Sequence, residues 1–258
     1  MGELVLPKRR FALTRRMIRR YTPRFYGWTL ENNILRRLFG LIKGKQKVMV
    51  GDEPAEIFTA IYQNHFWEDD ESRSGGGSNL YATEKIRKAI PELFLKYGVR
   101  TVLDIPCGDF WWFKEMNLDI ESYIGGDIVA PLIASVAEKY TSPTHTFRVM
   151  DLTKDVLPGC DLILVRACFI HLSYEAIFAA LRNITQSKIR YLLTTHFVDV
   201  KANSDIKTGS SHDLNLCQPP FNFPPPLMII DDFAKGLPSR QLGLWRVDDL
   251  SHAASTWR

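Results

Sequence analysis

Residues 100–110 read RTVLDIPCGDF, and this stretch decides how the fold is interpreted. Its first part, residues 100–105, is apolar and β-branched and predicts a buried strand. The strand leads into a tight loop, in which Gly108 lets the backbone approach a ligand closely. We expect a short helix to begin near Asp109, which would cap that helix and direct its positive end towards an anion.

The loop differs from the GxGxxG pattern of dinucleotide-binding proteins. Pro106 and Phe110 occupy positions where glycine is usual in that pattern. A loop that opens less widely is better suited to a nucleoside ligand that carries no pyrophosphate.

Strand-like and helix-like segments alternate through the central part of the chain. We predict helices over 83–97, 130–140 and 173–184, and strands or extended segments over 100–105, 122–127, 145–151, 160–167 and 188–197. Apolar strands that alternate with helices are typical of an α/β fold, in which helices cover both faces of a mostly parallel sheet. In such a sheet the ligand lies beyond the carboxyl ends of the strands.

Acidic residues follow three of these strands in turn. Asp104 ends the first, and Asp127 lies 23 residues later at the end of the second, where an acid can accept hydrogen bonds from ribose hydroxyls. Asp151 follows the third strand, where a carboxylate can accept a bond from an adenine amino group. A single acid at a strand end is often only a turn former. Three in the expected order predict one nucleoside-shaped cleft.

Composition divides the chain of 258 residues into a basic arm and a mildly acidic body. Residues 1–50 hold 13 Lys and Arg against two acids, a charge of +11, whereas the whole chain carries only +4. The body, residues 51–258, is therefore a poor candidate for a broad nucleic-acid surface. Hydrophobic residues make up 45% of the chain, which excludes a largely disordered protein. The four cysteines lack CxxC pairing, and this predicts reduced thiols and a cytoplasmic location.

Within the arm, apolar residues recur at helical spacing over 34–42 beside Arg36, Arg37 and Lys43. This pattern predicts an amphipathic basic helix that could lie on an anionic membrane surface. Such a helix could also bind nucleic acid, or pack on the body and serve solubility. A mitochondrial transit peptide has a similar composition. No apolar run in the arm is long enough to span a bilayer.

Four motifs together resemble those of class I S-adenosylmethionine-dependent methyltransferases: VLDIPCGDF, YIGGDIV, VMDLTKDVLPGCDLILVRACFIHLS and YLLTTHF. The segments NHFWEDDESRSGGGS, PPFNFPPPL and LGLWRVDDL extend the resemblance over about residues 57–250, to one microbial branch. Two features depart from the family pattern. Pro106 and Phe110 replace glycines of the commonest loop, and Ala167 stands where an acid often follows the residue matching Arg166.

The resemblance implies a Rossmann-like fold with a mostly parallel seven-stranded sheet and S-adenosylmethionine as the cofactor. It implies that the loop holds the methionine and ribose part of the cofactor, that the second strand end takes the ribose diol, and that the third takes the adenine. The residues concerned are Asp104, Pro106, Cys107, Gly108 and Asp109 in the loop, Asp127 and Ile128, and Asp151 and Leu152. The segment 166–171 would face the transferred methyl group.

A hydroxyl acceptor needs a group that removes its proton, and histidine titrates in the suitable range. His171, just beyond the fourth predicted strand, is the preferred general base, although it could equally cap the following helix. His196, after the fifth strand, is the second candidate and could instead be a buried strand-end residue. Arg166 could orient the acceptor or simply pair with an acid.

Two segments are expected to border the acceptor. Residues 62–78 combine Trp67 with a Gly-rich stretch and suggest a mobile lid, with Ser74 and Gly75 near the methionyl end; a plain linker is the alternative. Residues 198–226 are rich in Pro, Asn and Asp and predict an irregular acceptor-side loop. The resemblance implies that residues 227–231 and 242–247 then form the closing antiparallel pair of the sheet. We assign no metal ligands, because the acids and histidines near this loop lack a compact ligand spacing.

The most favoured activity is O-methylation of a glycan or glycolipid hydroxyl. An N-methyltransferase of protein, RNA or a small amine is the first alternative. The Asn/Asp-Pro-Pro-Tyr type of loop common in such enzymes does not follow the fourth strand. A non-catalytic module that binds S-adenosylmethionine is the second. Nucleic acid is an improbable partner for the body, and the oligomeric state is left open.

Overall fold

The computed structural model describes residues 2–7, 45–67, 69–232 and 239–250. Its helices are α1 (Pro54–Gln63), α2 (Glu84–Tyr97), α3 (Ala130–Tyr140) and α4 (Tyr174–Gln186). Its strands are β1 (Gly2–Pro7), β2 (Lys45–Val50), β3 (Thr101–Asp104), β4 (Ser122–Asp127), β5 (His145–Val149), β6 (Cys160–Val165), β7 (Ile189–His196), β8 (Met228–Asp231) and β9 (Gln241–Arg246).

Strands β3 to β9 form one sheet in the order β5-β4-β3-β6-β7-β9-β8. The pairs β3–β4, β3–β6, β4–β5 and β6–β7 are parallel, and β9 runs antiparallel to both β7 and β8. This confirms the predicted α/β fold with a mostly parallel seven-stranded sheet. The closing antiparallel pair predicted near the carboxyl terminus is β8 and β9.

Two hydrophobic clusters cover the two faces of the sheet, because successive residues of a strand point to opposite faces. Val102 belongs to the cluster that includes Ile86, Ile90 and Leu93 of α2. The adjacent residue Leu103 belongs to the cluster that includes Ile177, Leu181 and Ile184 of α4. The central strands are therefore apolar on both sides, and their polar residues are concentrated at the strand ends.

The short helix expected near Asp109 was predicted wrongly. Between β3 and β4, where every residue is described, the only helix is a one-turn 3-10 helix at Phe113–Glu115. The chain reverses instead at Phe110, whose φ of 58° lies in the left-handed region. Its ring packs 5.0 Å from Tyr123 and 5.1 Å from Phe147. The aromatic packing offsets the energetic cost of this positive φ. A right-handed helix cannot continue through such a residue.

The amino-terminal arm is described only at its two ends. There β1 and β2 pair as antiparallel strands, which the sequence analysis did not predict. The amphipathic helix predicted over 34–42 lies outside the described residues. In the part of the chain that the structure describes, none of the helices combines the length and apolar character needed to cross a bilayer.

Candidate active site

A cleft lies beyond the carboxyl ends of β3, β4, β5 and β6. This is the place where ligands bind in open α/β sheets. The predicted residues that line it are Trp67, Ser74, Asp104, Pro106, Cys107, Gly108, Asp109, Asp127, Ile128, Asp151, Leu152, Arg166 and His171. Gly75 and His196 are outside this lining. The convergence of three strand-end carboxylates on one cleft agrees with the interpretation of the sequence.

Asp104 is buried at the end of β3 and accepts a hydrogen bond of 2.7 Å from the hydroxyl of Tyr123. Burial raises the pKa of Asp104 to about 7, although the Tyr123 hydrogen bond and the charge of Arg166 oppose the rise. Tyr123 was not among the predicted site residues. Its position on β4, beside β3, brings its hydroxyl to this carboxylate.

Asp127 is equally buried at the end of β4 and is held by backbone N–H groups. Its Oδ2 accepts from Gly108 at 3.2 Å, and its Oδ1 accepts from Val129 at 3.0 Å. Burial raises the pKa of Asp127 to about 6, and these backbone hydrogen bonds partly offset the increase. A buried carboxylate with a raised pKa has fewer donors than its charge requires. Ligand hydroxyls in the cleft would supply the missing ones.

Asp151 and Leu152 form the third part of the cleft, after β5. The Oδ1 atom of Asp151 accepts from both the amide and the hydroxyl of Thr153, at 2.8 and 2.7 Å. The carbonyl of Leu152 accepts from Asn183 Nδ2 at 2.9 Å. This turn is therefore fixed to α4 and presents the edge of the cleft in a defined conformation.

Asp109 anchors a neighbouring segment instead of capping a helix. Its carboxylate accepts from the Ser72 hydroxyl at 3.0 and 3.1 Å, from the Arg73 amide at 2.7 Å, and from the Ser74 hydroxyl at 3.2 Å. In return, the Asp109 amide donates to Ser74 Oγ at 2.9 Å. Gly108 has a φ of 56°, and a Cβ there would collide with the Ser74 hydroxyl. Glycine is thus required for the loop and the segment to meet.

We call residues 69–78 the strap. The strap is held to itself by Asp69, whose carboxylate accepts from the Ser72 amide at 3.1 Å and from Asn79 Nδ2 at 3.1 Å. Glu71 accepts from the Leu80 amide at 2.7 Å and from Trp111 Nε1 at 2.9 Å. The strap therefore lies beside the cleft in a hydrogen-bonded conformation, and Asp69 and Glu71 serve its structure.

Helix α1 provides a further wall of the cleft through Pro54, Phe58 and Tyr62. The sequence analysis did not single out these residues, although their spacing of four is a helical stripe. The Trp67 ring extends this aromatic wall, 6.3 Å from Phe58 and 5.2 Å from the His171 ring.

Arg166 bonds to protein groups through its Nε and Nη2 donors. Its Nε and Nη2 bond to the two carboxylate oxygens of Asp232 at 2.9 and 2.8 Å, and Nη2 also donates to the Gly77 carbonyl at 2.6 Å. Of the two predicted roles, the pairing with an acid is the one that the geometry supports. The acid lies 66 residues further along the chain, so no local motif pointed to it.

His171 lies in a 3-10 turn, Phe169–His171, that follows β6. Its Nδ1 is 2.8 Å from the Ser210 carbonyl. Since a carbonyl oxygen only accepts, Nδ1 carries a proton and Nε2 is the basic atom of the neutral ring. Burial lowers the pKa of His171 below its usual value, and the charges of His212 and Arg240 add to this effect.

His196 occupies a different environment, and its proposed role as second base does not agree with its position. The side chain is buried outside the cleft lining, 5.6 Å from the Trp245 ring. Its Nδ1 accepts the Leu216 amide at 3.2 Å, and burial lowers its pKa to about 4. Successive side chains of a strand point to opposite faces of the sheet, so a residue at a strand end can face the core instead of the cleft. The prediction for His196 did not take this alternation into account.

Ala167 marks a strained point between Arg166 and the His171 turn. Its φ is 54°, which is unfavourable for a residue with a Cβ. Its amide donates to the Thr195 hydroxyl at 2.7 Å, and the residue lines the cleft.

Among the described residues, no group of three or more His, Cys, Asp and Glu side chains is arranged to hold a metal ion.

Comparison with known proteins gives similarity in structure without similarity in sequence. No family model and no curated protein matches the chain. The magnesium protoporphyrin IX methyltransferase of Synechocystis PCC 6803 with bound S-adenosylhomocysteine is similar with a TM-score of 0.55 at 9% identity, over 75% of this chain and 99% of that one. A SAM-dependent methyltransferase from Leishmania major is similar with a TM-score of 0.56 at 13% identity, over 75% and 85% of the two chains. The described part of the chain therefore has the Rossmann-like fold of the class I S-adenosylmethionine-dependent methyltransferases.

Proposed function

We propose that this protein is a methyltransferase that uses S-adenosylmethionine and methylates a hydroxyl group. The observation that carries the proposal is the pair of buried carboxylates, Asp104 and Asp127, with raised pKa values in one cleft. Free hydroxyl and amino groups of a nucleoside would supply the donors that these carboxylates lack. Asp151 and Leu152, with the apolar side chain of Ile128, line the adjoining part of the cleft and fit an adenine ring.

When bound there, S-adenosylmethionine would supply an electrophilic methyl group on a sulfonium sulfur. The protein's contribution is then mainly position and proton removal. Asp127 would orient the ribose, and the Gly108 loop with Ser74 would fix the methionyl end. Arg166, held by Asp232, would form the rigid wall beside the methyl group.

We assign proton removal to His171. Nδ1–H donates to Ser210, so Nε2 is free to accept a proton from a hydroxyl in the cleft. The lowered pKa keeps the ring neutral near pH 7, which is the form that a base requires. The proton would pass from the acceptor oxygen to Nε2 as that oxygen takes the methyl group, with the sulfur–methyl bond broken and S-adenosylhomocysteine released, and from Nε2 the proton would pass to solvent.

We propose a glycan or glycolipid as the acceptor. The support is the aromatic wall of Phe58, Tyr62 and Trp67 beside His171. Flat aromatic rings can stack on the apolar face of a sugar, while polar groups at the edge of the site orient its hydroxyls.

We further propose that the protein acts in the cytoplasm and that residues 1–50 are a separate basic arm that binds anionic membrane. The sequence supports this through the charge of +11 in the arm. The test is co-sedimentation of the full chain with phosphatidylserine-containing and with neutral vesicles. Replacement of Arg15, Arg16, Arg19 and Arg20 by Gln should abolish the selective recovery with anionic vesicles. Equal recovery of the wild type with anionic and with neutral vesicles would contradict the proposed role of the arm.

The activity is tested by methyl-labelled S-adenosylmethionine and separated cell fractions: glycans and lipids, proteins, RNA and small molecules. We expect label in the glycan and lipid fraction together with release of S-adenosylhomocysteine. Label in protein or RNA would replace this proposal by the N-methyltransferase. Cofactor binding without label in any fraction would indicate a binding module, and the absence of cofactor binding would contradict all three.

His171→Gln tests the base. We expect turnover to fall by roughly 10²- to 10³-fold while affinity for S-adenosylhomocysteine is kept, because general-base catalysis contributes on that order. His212→Gln is the matched control, since His212 lies on the loop that also carries Ser210, and its Nδ1 is likewise 2.7 Å from a backbone carbonyl, that of Ser204. Unchanged turnover in His171→Gln would assign proton removal to another group.

A further inference from the structure

A buried ionic cluster connects β8, the outermost strand of the sheet, to the cleft. Asp232, directly after β8, has no exposed surface and binds two arginines. Arg166 engages both of its carboxylate oxygens, and Arg240 Nε lies 3.0 Å from Oδ2. Three charges are thus concentrated in the interior, and two of their residues, Asp232 and Arg240, belong to none of the sequence motifs.

The cluster depends on Asp232 for its charge balance. Two guanidinium groups and one carboxylate leave a net charge of +1, and removal of the carboxylate would leave +2 with no anion between the cations. The side chains of Arg166 and Arg240 are 4% and 15% exposed, so solvent offers little compensation. Breaking a buried pair of this kind is strongly unfavourable because one partner stays charged and unpaired.

The same cluster holds the far end of the strap. The Gly77 carbonyl accepts from Arg166 Nη2 at 2.6 Å and from Arg240 Nη2 at 3.5 Å. A Cβ on Gly77 would lie 3.1 Å from Arg240 Nη1, so the strap approaches the cluster closely. The near end of the strap is bound to Asp109 in the cofactor loop. The strap is therefore fixed at two points, one of them through Asp232.

Arg166 also forms part of the cleft wall. Its guanidinium lies 5.1 Å from the centre of the Trp112 ring, and both residues line the cleft. A bidentate carboxylate fixes the plane of a guanidinium as well as its position. The orientation of this wall is thus determined by a residue that does not line the cleft.

We propose that Asp232 is a positioning residue, which orients Arg166 and keeps the strap closed beside the cofactor. This inference rests on the proposed function for its effect on cofactor affinity. Its structural part, the closure of the strap, applies to the free protein as well.

The test compares four full-length variants with the wild type: Asp232→Asn, Asp232→Asn with Arg240→Gln, Asp231→Asn and Asp161→Asn. The double variant keeps the net charge of the cluster at +1 and remains informative where the single variant fails to fold. Asp231→Asn is the matched control, because the adjacent Asp231 is half-exposed and its partner is Lys85 on the surface. Asp161→Asn controls for stability, since Asp161 holds Arg190 at the opposite edge of the sheet.

Two quantities are measured: the dissociation constant for S-adenosylhomocysteine by titration calorimetry, and amide hydrogen exchange of residues 72–78 in the free protein. We expect both Asp232 variants to weaken binding tenfold or more and to speed exchange in the strap at least tenfold relative to β3 and β6. Asp231→Asn should change neither quantity, and Asp161→Asn should lower the melting temperature without changing affinity.

The proposal is overturned if the double variant keeps wild-type affinity and wild-type strap exchange, or if Asp161→Asn weakens binding to the same degree. If the wild type itself does not bind S-adenosylhomocysteine, the proposed function fails. In that case strap exchange alone still decides whether Asp232 closes the strap.

Discussion

Aspartate has opposite surroundings at the two ends of the parallel strands, which we call the amino edge and the carboxyl edge of the sheet. At the amino edge, Asp161 of β6 accepts from the Arg100 and Thr101 amides, the Thr101 hydroxyl and Arg190 Nη1, at 2.9 to 3.0 Å. At the carboxyl edge, Asp104 accepts from one side chain, Tyr123, and Asp127 from backbone amides. The first carboxylate is thus saturated by its own neighbours, whereas the other two are buried with fewer donors.

This difference appears in the pKa values. Partial burial would raise the pKa of Asp161, but the hydrogen bonds from Arg100, Arg190 and Thr101 outweigh it and lower the pKa. Burial dominates at Asp104 and Asp127 and raises their pKa values to about 7 and about 6. A carboxylate that folding leaves short of donors is a cost to stability and an asset to binding. The comparison therefore distinguishes Asp161, which serves the fold, from Asp104 and Asp127, for which we propose a role in ligand binding.

The largest expected effect is that of Asp127→Asn, which should weaken cofactor binding and change how the stability of the free protein depends on pH. Loss of the charged acceptor should weaken the binding of S-adenosylhomocysteine by roughly 10- to 100-fold, since hydrogen bonds to charged groups contribute about 1.5–3 kcal/mol. The raised pKa implies that the stability of the free protein falls as pH rises from near 4 through 6, because ionisation is harder in the folded state. At pH 8 this cost is fully present.

Asn at position 127 removes the cost of ionisation, which reaches about 3 kcal/mol at pH 8 on the scale of 1.36 kcal/mol per pKa unit. Its amide nitrogen cannot accept the N–H of Gly108 or Val129, so Asn also loses one backbone hydrogen bond at every pH. The free energy of unfolding of Asp127→Asn relative to the wild type should therefore rise by up to about 3 kcal/mol between pH 4 and pH 8. Calorimetric titration and urea denaturation at both pH values measure the two effects, with Asp161→Asn as the control. A stability difference that is the same at both pH values would show that ionisation of Asp127 carries no cost in the folded protein.

Asp161→Asn should give the reverse result and a smaller effect. Asn retains one acceptor oxygen but loses the ion pair with Arg190 at 3.0 Å, so we expect a loss of about 1–2 kcal/mol in unfolding free energy. Affinity for S-adenosylhomocysteine should stay within about twofold, because distant independent sites rarely couple by more than about 0.5 kcal/mol. A tenfold loss of affinity would remove the distinction between the two edges.

The two edges also differ in how far the sequence could predict them. Asp104, Asp127 and Asp151 were located correctly because strand periodicity and chain order bring successive strand ends to one edge. The partners of Asp109 and Arg166 were missed, because Ser72 and Asp232 come from distant segments and only the packing of the whole domain brings them together. His196 was misjudged for a different reason. Its side chain packs against Trp245 of β9, and strand-end geometry decides that contact.

The smallest expected effect is the pH dependence of cofactor affinity, and it tests the comparison most directly. With a pKa of about 6 in the free protein, Asp127 is largely ionised at pH 7.5 and largely protonated at pH 5.5. The ionised form accepts hydrogen bonds from ribose hydroxyls, so a proton taken up at low pH must leave when the ligand binds. Linkage then predicts about a fourfold weaker affinity for S-adenosylhomocysteine at pH 5.5 than at pH 7.5 from this group alone. The measurement is calorimetric titration at both pH values on the wild type and on Asp127→Asn, which should lose this contribution and bind with a flatter profile. Because Asp161 has a lowered pKa and stays ionised across the whole interval, Asp161→Asn should retain the full wild-type pH dependence. Equal pH dependence in Asp127→Asn and the wild type would instead assign the titration to another group in the cleft. It would contradict the proposal that Asp127, at the end of β4, binds the ribose hydroxyls.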